Sequence, residues 1–259
     1  MAASISRGVP VLGPFHIPAF GTLTSPRVRV LGIIGLLFLL QLFVWLGTVI
    51  NTNASGDSAL LPGTGNWTLW SNVMLFYLVM NLFSMILVNY TGDVAVVPKA
   101  KDISMFLVNY SLWTVVGWGI LTLIFPHGTG VTMLLGTGRI QQFTIISLFV
   151  APSEELMFRV VLPRVLNSWF LGSTVAFTIF HLSAYSVEYS GSEFIPGLIS
   201  LVLMSFVLWG VYAFQLRIRL KGGKEAVINS GFGGSVGLHQ VYDCFVLGVL
   251  GPLFGGVPI

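Results

Sequence analysis

The sequence predicts an all-α, polytopic membrane helix bundle of about seven transmembrane helices, with a short eighth element at its C-terminal end. Three observations predict it. Only 8% of the residues are charged and 55% are hydrophobic, giving a mean hydropathy of +0.90 over 259 residues. A water-soluble domain carries about a quarter charged residues, so a chain this poor in charge cannot cover a water-facing surface. Apolar runs of about 20 residues recur along the chain. The Lys and Arg residues fall between those runs in an alternating pattern.

The runs lie at Val30–Ile50, Leu69–Tyr90, Ile103–Phe125, Ile140–Leu166, Trp169–Ser186, Ile195–Leu216 and Val236–Leu253. Residues 1–28 read as a cytoplasmic N-terminal tail. Pro10, Pro14 and Pro18 interrupt that stretch, and it lacks the apolar core and small-residue cleavage site of a signal peptide. The remainder divides into a three-span region, 29–138, and a core, 139–259. Gly251–Ile259 is too rich in Gly and Pro for a full span and is the short eighth element.

Orientation follows the basic residues. Arg7, Arg27 and Arg29 precede the first span, Lys99 and Lys101 precede the third, Arg164 sits at the end of the fourth, and Arg217–Lys224 follow the sixth. Asp57, Glu188 and Glu193 mark the opposite side, and only Arg139 is misplaced. The expected protein is multi-pass, with its N-terminus in the cytoplasm. Sequons at Asn53 and Asn66 lie in an expected outside loop. One cysteine, Cys244, excludes an internal disulfide and reads as packing. The basic residues form no aromatic-interleaved patch, so nucleic acid is not an expected partner.

Once the loops have claimed their charges, Glu154, Glu155, Arg159, His181, His239 and Asp243 remain inside spans. Ionisable groups at membrane depth are costly and usually face one another or a cavity. Glu155 and Arg159, four residues apart, share a helix face and can pair. Such a pair has a purely structural reading as mutual neutralisation. Glu154 is turned about 100° from Glu155 and has no basic partner at helical spacing. It suits a proton-transferring carboxylate.

Ala151-Pro152-Ser153 ahead of it is expected to interrupt the helix, with Ser153 capping the segment beyond the break. Phe177 and His181 share a face, as do His239 and Asp243, and each pair alone could be an ordinary interhelical contact. At about 1.5 Å per residue the acids and imidazoles of three spans reach a similar level, in the inner half or near the midplane of one membrane. A shared cavity is the economical explanation.

These residues also form three motifs: Glu154-Glu155-Leu-Met-Phe-Arg159, Phe177-Thr-Ile-Phe-His181 and His239-Gln-Val-Tyr-Asp243. Their order, spacing and placement on successive spans resemble the CPBP family. That family comprises the type II CAAX-prenyl endopeptidases and the bacteriocin-processing or self-immunity proteins. The resemblance covers 141–253, and the first three spans match only in being hydrophobic.

It implies an intramembrane endopeptidase in which Glu154 and His181 activate a water. His239 and Asp243 would stabilise the oxyanion, with Glu155 and Arg159 supporting Glu154. Many members carry Asn where this chain has Asp243. An ionised Asp cannot donate to an oxyanion, so Asp243 is either protonated, a support for His239, or a metal ligand. Glu154, His181, His239 and Asp243 have the ligand types of a zinc site, so the cofactor is none or one zinc ion. Expected partners are membrane lipids and a membrane-associated peptide, prenylated or not, cut from the cytoplasmic side. A self-immunity or scaffolding role and a small proton-coupled transporter using Glu154, His181 and Asp243 are the alternatives, although no repeated halves are visible.

Overall fold

The computed structural model describes residues 9–11, 15–17, 32–35, 37–39, 41–42, 67–91, 94–95, 97–124, 146–166, 168–188, 194–217 and 225–245. The loop holding Asn53, Asp57 and Asn66, Arg139, Glu193, Arg219–Lys224 and the C-terminal element lie outside those residues. The described part is all-α but for short two-residue and three-residue ladders. Helices α1 (Trp67–Thr91), α2 (Ala100–Ile124), α3 (146–165), α4 (169–188), α5 (Phe194–Arg217) and α6 (Ser230–Phe245) correspond to the second to seventh apolar runs. Helical pieces at 32–35, 37–39 and 41–42 fall in the first. Among the described residues two helices are long and apolar enough to cross a membrane, at Ala100–Ile124 and Phe194–Gln215. Shorter apolar stretches run from Met74 to Asn89 and from Phe170 to Leu182.

Helix α3 is the centre of the bundle. Every residue from Ser153 to Val165 is buried. The break that Pro152 leads one to expect does not occur. The backbone stays helical from 146 onward, with wider π turns at Ile146–Val150 and Leu156–Val161. Pro152 has no N–H to give the preceding turn and its ring crowds that turn, and a wide turn there accommodates both. Ser153 therefore caps nothing. Its Oγ donates back to the Phe149 carbonyl. No helix N-terminus opens at Glu154.

Around α3, helix α1 buries Phe76, Tyr77, Met80, Ser84 and Leu87, the spacing of one helix face. Its other face exposes Leu75, Leu78, Leu82 and Ile86, which are equally apolar. Helix α2 begins at Lys99, whose backbone N–H donates to Asp102 (2.9 Å), as an acid three residues into a helix does for the cap position.

Helix α6 starts six residues before the apolar run that announced it. Asn229 caps it, its Oδ1 accepting from the Phe232 N–H at 2.9 Å. The glycines that disguised this start are used for contact. Gly233 and Gly237, four apart, lie against the Phe106 and Tyr110 carbonyls of α2, where a Cβ would clash. Beside them Tyr110 donates to Gln240 Oε1 (2.5 Å) and Gln240 Nε2 donates to Thr114 Oγ1 (2.7 Å), which fixes the rotation of α6.

Arg164, expected as an interfacial charge, is buried, with Nη1 on the Val160 carbonyl at 2.5 Å. Wrapped α3 leaves it no route to the surface. A parallel ladder, Val94↔Glu225 and Ala95↔Ala226, ties the α1–α2 connection to the α5–α6 connection. A second, antiparallel ladder pairs Val9–Val11 with Phe15–Ile17.

Candidate active site

All six ionisable residues left inside the spans meet on one side of α3, opposite α4 and α6. Glu154 sends its two carboxylate oxygens in different directions. Oε1 accepts from the Tyr77 hydroxyl of α1 at 2.8 Å. Oε2 lies 3.1 Å from His181 Nε2 and 3.6 Å from His239 Nε2. Buried Oε2 has no partner in hydrogen-bond geometry.

Both imidazoles are held from behind. His181 Nδ1 is 2.9 Å from the carbonyl of Phe177, one turn earlier on α4. A carbonyl only accepts, so Nδ1 carries a proton and Nε2 is the atom turned to Glu154. His239 Nδ1 is 2.8 Å from Glu155 Oε1, and its Nε2 is 3.4 Å from Asp243 Oδ1. A carboxylate behind Nδ1 fixes the tautomer and supports a proton on Nε2.

Glu155 thus has two partners where sequence spacing announced one. Oε2 pairs with Arg159 Nε at 3.2 Å, and Oε1 takes His239. Arg159 is fully buried, donates from Nη1 to the Ser173 carbonyl (2.9 Å) and lies 4.7 Å over the Phe177 ring. Phe177 serves four neighbours, one of them the His239 ring at 5.7 Å. Its ring sits under Arg159, packs 4.3 Å from the His181 ring and meets the edge of Phe158 at 5.2 Å. Of the four residues closest to the site's centre, Glu154 and His239 are buried, while His181 and Asp243 keep partial exposure, 14% and 17% at their side chains. The approach to the site is therefore on the His181–Asp243 side.

The donor types at this centre, two imidazoles and two carboxylates, are those of zinc sites. The close pairs run as a chain, His181 to Glu154 to His239 to Asp243. Among the described residues no group of three or more His, Cys, Asp or Glu side chains is arranged to hold a metal ion.

Sequence reasoning missed Tyr77 and the Glu155–His239 bond. Tyr77, Asn81 and Ser84 form a polar line at helical spacing through the apolar middle of the span, which was a readable signal. The Glu155–His239 bond joins residues 84 apart and left no local trace. Cys244 is buried and free, as its apolar run led us to expect. No family model, no curated protein and no solved structure matches the chain.

Proposed function

We propose that the protein is a multi-pass intramembrane endopeptidase that hydrolyses a peptide bond of a membrane-associated substrate with a Glu154- and His181-activated water. The observation that carries this reading is the pairing at Glu154: a buried carboxylate oxygen without a hydrogen-bond partner, aimed at two imidazole Nε2 atoms whose other nitrogens are already committed. A carboxylate beside imidazoles in an enclosed site is equipped for proton transfer. In this reading Glu154 Oε2 takes a proton from water while the water oxygen bonds to the scissile carbonyl carbon. His181 Nε2 holds that water in place. His239, protonated at Nε2 and backed by Glu155, donates to the oxyanion that forms. Collapse of the tetrahedral species breaks the C–N bond, and the proton on Glu154 passes to the leaving amine. Asp243 Oδ1, 3.4 Å from His239 Nε2, is the resting partner from which that N–H turns to the oxyanion.

Glu154, His181, His239 and Asp243 have zinc-ligand chemistry but stand as a chain of pairs, so they would have to rearrange to hold a zinc ion, which would then polarise the carbonyl and acidify the water.

A membrane setting is supported by the two long apolar helices and by the apolar outward faces of α1, α2 and α5. The ladder joins the connection leading to Lys99 and Lys101 to the one entering α6, which supports placing both on one side of a membrane, the cytoplasmic side by their basic residues.

The test is cleavage of membrane-tethered peptides, prenylated and unprenylated, by purified protein. Glu154→Gln and His181→Ala are expected to lower cleavage about 10³-fold. Unchanged cleavage in either variant sinks the mechanism. Proton-coupled uptake into liposomes without cleavage would favour a transporter. Bound zinc with chelator-sensitive cleavage selects the metal route, and cleavage by zinc-free protein selects the carboxylate route.

A further inference from the structure

We infer that Tyr77 is a positioning residue of the active site, so that α1, which carries none of the three motifs, is a working part of it. This rests on the reading of Glu154 as the proton-accepting group.

A carboxylate at the end of a glutamate side chain turns freely unless something holds one of its oxygens. Here Tyr77 holds one. Its hydroxyl donates to Oε1 at 2.8 Å, from a side chain itself 5% exposed. With Oε1 committed to α1, the basic lone pairs of Oε2 are left for the side facing His181 and His239. Tyr77 is in turn fixed by its neighbours. Its ring meets the edge of Phe76 at 5.1 Å, and Phe76 stacks on Phe180, next to His181, at 6.1 Å.

The polar line on α1 extends this grip. Asn81 Nδ2 donates to Ser153 Oγ at 2.8 Å, and Ser84 Oγ lies 3.8 Å from Met157 Sδ. These two hold α3 itself, whereas Tyr77 alone reaches a reacting group. An apolar span needs no such line for packing, because Phe or Leu would fill the same space without a polar atom to satisfy.

Tyr77→Phe removes only the hydroxyl. The expected result is a fall in kcat of about 10- to 100-fold, the usual effect of losing a group that orients a reacting side chain, with KM unchanged. Asn81→Ala loosens the same helix pair without touching Glu154. It is expected to lower the thermal unfolding midpoint in detergent as much as Tyr77→Phe does, while holding kcat within about twofold. Tyr77→Phe combined with Glu154→Met, which leaves no oxygen to accept from Tyr77, should also shift the unfolding midpoint by less than the sum of the single shifts, a readout independent of cleavage.

Wild-type kcat in Tyr77→Phe, or equal kcat losses in Tyr77→Phe and Asn81→Ala, would overturn the inference and leave the protease reading standing. Full cleavage by Glu154→Gln would instead overturn that reading, with the unfolding cycle still reporting on the bond.

Discussion

Helices α2 and α3 are built from equally apolar sequence and live in opposite surroundings. Helix α2 turns Leu107, Val108, Leu112, Val115, Ile120 and Leu123 outward, and its 25 residues bury only Asn109 and Gly117. Helix α3 buries every residue from Ser153 to Val165. The ionisable groups follow that division. Helix α3 carries Glu154, Glu155, Arg159 and Arg164 where protein surrounds them on all sides, while α2 carries only Lys101 and Asp102, both in its first turn. A helix wrapped by others can surround each charge with partners, but one facing lipid cannot. In this chain an apolar helix that tolerates charges is the one at the centre.

The sharpest test of that division removes a partner from the wrapped helix. Arg159→Met leaves Glu155 as a buried charge with only His239 beside it. Stability in detergent should fall by about 3–5 kcal/mol, read from denaturant or thermal unfolding. Replacing both partners, Glu155→Met with Arg159→Met, should recover part of that loss and no more, because the apolar pair needs no compensation but His239 Nδ1 loses its acceptor. A single-variant loss under about 1 kcal/mol would mean that water reaches the pair, and α3 would no longer be the wrapped member of the comparison.

The outward helix is tested by the reverse change. Val115 is 70% exposed, in the middle of α2. Val115→Asp should cost about 2.5–3.5 kcal/mol of membrane insertion, measured as the fraction of chain integrated into microsomes. A water-facing position would register about 0.5 kcal/mol or less, and that outcome would break the membrane assignment of this face.

The two regions also differed in how far they could be read. Among the described residues the existence and order of the helices in the second to seventh runs were legible, because an apolar run of about 20 residues has few other readings. So was the pairing of Glu155 with Arg159, which needs only the four-residue spacing. Legibility failed where a local rule met a tertiary solution. Pro152 announces a break and receives a wide turn. The seventh apolar run starts at Val236, whereas the helix begins at Ser230, with Gly231 against the Tyr212 carbonyl of α5 and Gly233 against the Phe106 carbonyl of α2. Tyr77 was passed over although its line with Asn81 and Ser84 marks a polar helix face, because that line does not name the carboxylate 77 residues away that it meets. Arg164 was assigned to a surface by its charge, a rule that cannot see a helix enclosed on all sides.

Two glycines carry the same comparison down to a single methyl group. On Gly172, in α4, a Cβ would run into the α3 backbone at Leu162 and Pro163, atoms that cannot rotate away. Gly172→Ala should destabilise by about 1–3 kcal/mol, the cost of overpacking a core. On Gly119, in α2, a Cβ would meet nothing within 4 Å. There the substitution lowers only the freedom of the unfolded chain and improves helix propensity, so Gly119→Ala should stabilise by about 0.4–1 kcal/mol. Both values come from unfolding midpoints in one detergent. Opposite signs preserve the distinction between a wrapped core and an outward-facing helix. A destabilising Gly119→Ala would mean that another surface packs on α2 there, turning its apolar face from a lipid contact into a protein interface.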